Sequence, residues 1–165
     1  SVIDNLKTLY NSHIENDLEH LVEDIHAYKK VAAFGYMQSE NVALNLQYDL
    51  QTNGKILFTC IKFIDQVDYI NNADEETLII IFSESGTYFD RVFQRTKPFK
   101  NLKMKPKIYM ITSNFSISLP YIDAYVRYHS RNDFASHPYP LIIISDLICV
   151  QYTKILQEKN NKTAL

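Results

Sequence analysis

Apolar positions along this chain follow two rhythms. From Val2 to about Ala27 they recur in steps of three and four, at Ile3, Leu6, Tyr10, Ile14, Leu18, Leu21, Val22 and Ile25. That spacing predicts an amphipathic leading helix. Ser12 and Glu15 have capping-box spacing, which allows a break near Asn11–Ser12. After the helix the rhythm changes. Five short runs, KKVAAFGY, KILFTC, TLIIIF, PKIYMIT and AYVRYH, are apolar or barely alternating, as strands buried on both faces should be.

Helical patterns separate the runs. Ser39 is placed to cap a helix carrying Val42, Ala43, Leu46 and Leu50 on one face, with Gly54 where a terminating glycine belongs. Further helices are expected over Asp65 to Asn72 and Tyr88 to Lys97. Leu141, Ile144, Ile148, Tyr152 and Ile155 keep helical spacing in a closing helix. Strands alternating with helices predict an α/β fold, a three-layer α/β/α sandwich around a five-stranded parallel, flavodoxin-like sheet. Residues 1–159 read as one domain and 160–165 as a disordered tail.

Composition narrows the function. The chain has 165 residues, 46% hydrophobic and 22% charged, with a net charge of −2. That is ordinary for one globular domain and lacks the basic footprint of a nucleic-acid-binding surface. Cys60 and Cys149 sit singly in apolar runs, which points to a reducing, cytoplasmic setting and to neither a disulfide framework nor a metal site. The longest apolar run, Leu141 to Val150, is interrupted by Ser145 and Asp146, so no membrane span is expected.

The candidate chemistry sits where strands empty into helices. Two of the three glycines, Gly35 and Gly86, follow the first and third runs, and hydroxyls cluster beside them at Ser39, Ser83, Ser85 and Thr87. Ligands of open α/β sheets bind at the carboxyl ends of the strands, where helix N-termini favour anions. Thr112, Ser113 and Asn114 end the fourth run and are placed to join the same crevice.

A strand ending in the pattern G-x-G-x-S, followed one βα unit later by a strand ending in S-x-S-G, resembles the SIS (sugar isomerase) domain. The long leading helix and the closing LIIISDLICVQY helix resemble the effector domain of RpiR-type bacterial transcriptional regulators. Gly35 and Ser39 match the first motif, and Ser83, Ser85 and Gly86 the second. Met37 stands in place of the second glycine, and Tyr88 where the pattern has threonine.

The resemblance implies a sugar-phosphate-binding site at Gly35, Gln38, Ser39, Ser83, Glu84, Ser85, Gly86, Thr87 and Tyr88, with Thr112, Ser113 and His137 at its margin. It implies a phosphorylated sugar or amino sugar as ligand and no cofactor. It also implies pairing into a homodimer or higher oligomer through the leading and closing helices. DNA would be reached only through an N-terminal helix-turn-helix domain outside this chain. No catalytic or metal-ligating set stands out: Glu40, Glu84 and His137 are the nominees for acid–base chemistry, and no pattern gives them roles. Two other readings remain open, a standalone sugar-phosphate isomerase or other SIS enzyme, and a degenerate scaffold kept for dimerisation.

Overall fold

A computed structural model describes residues 1–97, 99–131 and 138–165. Four parallel strands, β1 (Lys30–Gly35), β2 (Thr77–Phe82), β3 (Lys107–Thr112) and β4 (Ala124–Arg127), lie side by side in chain order. Six helices accompany them: α1 (Val2–Tyr10), α2 (Glu15–Ala27), α3 (Gln38–Thr52), α4 (Phe63–Asn72), α5 (Tyr88–Val92) and α6 (Tyr139–Thr163). Gly35 pairs with Phe82, and Phe82 with Ile111, so the carboxyl ends of the first three strands are level.

The sheet is buried on both faces, as its unbroken apolar runs require. Val31 and Ala33 of β1, Leu78, Ile80 and Phe82 of β2 and Ile111 of β3 pack against α1, α2, α3 and α6. The intervening residues Ala32, Phe34, Ile79, Ile81 and Met110 pack against α4 and α5. One-residue alternation along each strand divides the core into two layers, which gives the three-layer sandwich.

The sheet has four strands and not five. The run Lys55 to Cys60 meets β1 through one bridge only, where Phe58 donates to Val31 O at 2.8 Å and accepts from Ala33 N at 2.9 Å. Its remaining apolar side chains find little cover: Ile56 is 83% exposed and Phe58 43%. The fifth strand is thus an edge contact on the outer side of β1. The flavodoxin-like order is kept and the ladder is lost.

The leading helix breaks where expected but by other means. Ser12 does not cap α2; its hydroxyl bonds back to Thr8 O and accepts the His129 amide at 2.8 Å. The turn passes through His13 at φ +52°. Gly54 closes α3 at φ +75° as predicted. α5 ends at Val92, short of the expected Lys97, and α6 extends through residues 160–163 of the expected tail.

By length and composition α6 is apolar enough to cross a membrane, which the interrupted run did not suggest. In this fold it is a core helix. Leu141, Ile144, Ile148, Tyr152 and Ile155 are buried against the helical layer, and Asn45 of α3 donates to Ser145 Oγ and Asp146 Oδ1 at 3.2 and 3.0 Å.

Candidate functional site

The site begins where β1 stops. A Cβ built on Gly35 would fall 2.5 Å from the Ser39 backbone, so strand end and first helical turn are in direct contact. Only glycine permits that approach. The chain reverses through Tyr36 and Met37, with Ser39 N donating to Tyr36 O at 3.3 Å. Met37 takes φ +56°, ψ −120°, the first central position of a II′ turn, which glycine normally fills.

Met37, not Ser39, therefore occupies the cap position of α3, and no side chain caps the helix. Ser39 lies inside the first turn, 4% exposed. Close packing on Gly35 starts the helix earlier than the capping signal predicted.

The second loop follows β2. Ser83 is 8% exposed, and Gly86 at φ +79° folds back to donate to Ser83 O at 3.1 Å. The loop is clamped from β3. Glu84 O accepts from Thr112 Oγ1 at 3.0 Å, Ser113 Oγ at 2.9 Å and Ser113 N at 3.0 Å, and Asn114 Nδ2 donates to Ser85 O at 3.0 Å. Thr112 and Ser113, expected at the margin of the site, act as this clamp.

The two loops enclose a cavity of about 560 Å³. It brings together the predicted Gln38, Ser39, Ser83, Glu84, Ser85 and Thr87 with Tyr36, Met37, Phe82 and Arg91. The Ser39 and Ser83 hydroxyls have no hydrogen-bond partner among the described residues. Ser85 and Thr87 share a hydrogen bond of 2.8 Å between their hydroxyls. Buried hydroxyls beside an uncapped helix N-terminus can donate to an anion.

No protein-family model and no curated protein matches the sequence. Solved structures do. A protein of E. coli CFT073 in complex with a sugar phosphate superposes with a TM-score of 0.74 at 14% identity, covering 94% of this chain and 86% of that one. The sugar isomerase domain of an RpiR transcription factor from Sphaerobacter thermophilus gives 0.68 at 19% identity, over 97% and 94%. NanR of Vibrio vulnificus, complexed with ManNAc-6P, gives 0.71 at 16% identity, over 99% of this chain and 64% of that one. The fold is that of the SIS domain. Enzymes share it too: a phosphoheptose isomerase is among the matched structures.

On this SIS fold, some predicted residues stand away from the cavity. Tyr88 is 1% exposed and packs edge-on against Phe63 and Phe89 in the opposite layer. Its hydroxyl donates to Gln66 Oε1 at 2.7 Å, and burial holds it well above the ordinary tyrosine pKa. Gly86 forms the turn, with Ile117 and Asn114 filling the space a side chain would need. His137 lies outside the described residues.

Two contributors escaped sequence reasoning. Gln66, fully buried, donates to Gly35 O at 3.0 Å and Cys60 O at 2.9 Å while accepting from Tyr88, so one amide ties both loops together. Arg91 places its guanidinium carbon 4.2 Å from the Tyr36 ring centroid at the cavity wall. Its signal was its place one helical turn beyond Thr87.

Glu84 brings a carboxylate to the same cavity, and its Oε1 accepts from Ser130 Oγ at 2.8 Å. Burial raises the Glu40 pKa, opposed by a hydrogen bond from the Met37 backbone. Burial, and then Asp65 and Glu40, push the Cys60 thiol up to about 11. No cluster of metal-ligating side chains occurs among the described residues.

Proposed function

We propose that this chain is the sugar-phosphate-sensing and dimerising effector domain of a cytoplasmic transcriptional regulator of carbohydrate metabolism. One observation carries the reading. The hydroxyls of Ser39 and Ser83, without protein partners, open into one cavity at the uncapped N-terminus of α3. A phosphate monoester supplies the acceptor oxygens that such donors require.

The regulator is preferred to an isomerase because the carboxylates near the cavity are engaged. Ser130 holds Glu84, and the Met37 backbone holds Glu40. A base that moves a proton between neighbouring sugar carbons needs free reach to it. Pairing is assigned to the leading and closing helices, where Leu6, Leu9, Tyr10, Ile143 and Leu147 line an apolar groove of about 370 Å³. The net charge of −2 assigns DNA contact to another part of the regulator.

The test is a thermal-shift panel of hexose and hexosamine phosphates beside their unphosphorylated sugars. At least one phosphate should stabilise the chain, and Ser83→Ala or Ser85→Ala should abolish the shift. Turnover of any panel member would replace the sensor with an isomerase. No shift across the panel would leave a dimerisation scaffold.

A further inference from the structure

The cavity's donors are neutral apart from one. Ser39, Ser83, Ser85 and Thr87 offer hydroxyls, and α3 offers amide N–H groups with the partial positive charge of a helix end. Glu84 adds a full negative charge to the same walls. A phosphate dianion entering there meets a site whose formal charges, without Arg91, sum to a repulsive −1.

We propose that Arg91 is the charge partner of the ligand's phosphate, held ready on the face of Tyr36 and turning to the anion when it binds. This rests on reading the cavity as a phosphate site. The guanidinium makes no ion pair or hydrogen bond with another described residue, so its donors are unclaimed by protein. What positions it is the ring, at 4.2 Å, an attraction to the negative π-face that leaves the planar N–H fork available. The ring is itself fixed: Phe63 meets Tyr36 edge-on at 5.3 Å, and Arg95 covers Phe63 at 6.0 Å.

The start of α5, from which Arg91 projects, is pinned through Tyr88 and Gln66 to Gly35, the residue before Tyr36. One network thus sets the distance between cation, ring and α3 N-terminus. The arrangement distinguishes phosphorylated from unphosphorylated sugars, because only the former recovers the charge that Arg91 gives up on leaving the ring.

Inorganic phosphate is the probe. Wild type, R91Q, R91K and S83A are titrated with it at several salt concentrations, following the backbone amide NMR signals of Ser39 and Ser83. R91Q should weaken binding roughly tenfold, as expected for one lost charge-assisted hydrogen bond, and flatten the salt dependence. R91K should keep the wild-type salt dependence, and S83A should weaken binding without altering it. R91Q binding phosphate as tightly as wild type, with S83A weakened, would overturn the role of Arg91 and leave the phosphate site standing. Weakening in R91Q with the wild-type salt dependence intact would reduce Arg91 to packing and also overturn it. Absence of phosphate shifts in the wild type would remove both the role and the site.

Discussion

Met37 is the point of sharpest conflict between sequence and backbone. It holds φ +56°, ψ −120° with a full side chain, 68% of which is exposed. Residues forced into such regions cost about 1–3 kcal/mol. The informative comparison is Met37→Gly against Met37→Ala, because both remove the same side chain beyond Cβ and only glycine relieves the strain.

At an ordinary position alanine is the more stable of the two by about 0.5–1 kcal/mol, through the entropy glycine loses on folding. Here the strain term should reverse the order. Subtracting that entropy leaves Met37→Gly more stable than Met37→Ala by ~0.5–2 kcal/mol. In a chain of this length each kcal/mol corresponds to about 2–4 °C in Tm. Urea denaturation followed by far-UV circular dichroism, with thermal melts beside it, measures the difference. If alanine equals or exceeds glycine, the turn carries no strain and the argument fails.

Other expectations rest on the same corner of the molecule. Gly35→Ala should cost ~3 kcal/mol or more, because the new Cβ meets Ser39 backbone 2.5 Å away that cannot swing aside, whereas Gly54→Ala, with open space around it, should cost only about 1 kcal/mol; urea midpoints compare the two. Gln66→Leu should destabilise by about 3 kcal/mol by leaving the Tyr88 hydroxyl and two carbonyls unpaired, and adding Tyr88→Phe should recover part of the loss in a double-mutant cycle. Cys60, with its thiol pushed up to about 11, should react with iodoacetamide at pH 8 roughly a hundredfold more slowly in the folded chain than in urea, since the thiolate is the nucleophile; equal rates would contradict its burial.

Much of the fold was legible in order and period. The TLIIIF run can be satisfied only by burial on both faces, and it became the fully buried β2. The 3–4 spacing of Leu18, Leu21, Val22 and Ile25 became the buried face of α2. Gly35, Ser39 and Ser83 marked the site because glycines and hydroxyls at strand ends are local chemistry, readable without knowing what packs nearby.

What failed was long-range. KILFTC has the composition of a strand, but pairing depends on a neighbour's edge and on cover for both faces, and Ile56 found none. Tyr88 follows the hydroxyl loop in sequence, yet the first turn of α5 carries it into the opposite layer, where Gln66 claims its hydroxyl. Arg91 and Gln66 carry no motif at all; their roles come from Tyr36 and Gly35, which lie more than a β–α unit earlier in the chain. The sequence by itself determined which segments are buried and where the donors for an anion gather, because period and residue type are properties of the chain. Only the tertiary structure decided which donors share one cavity and which cation faces them, because that depends on distances between loops that no local pattern encodes.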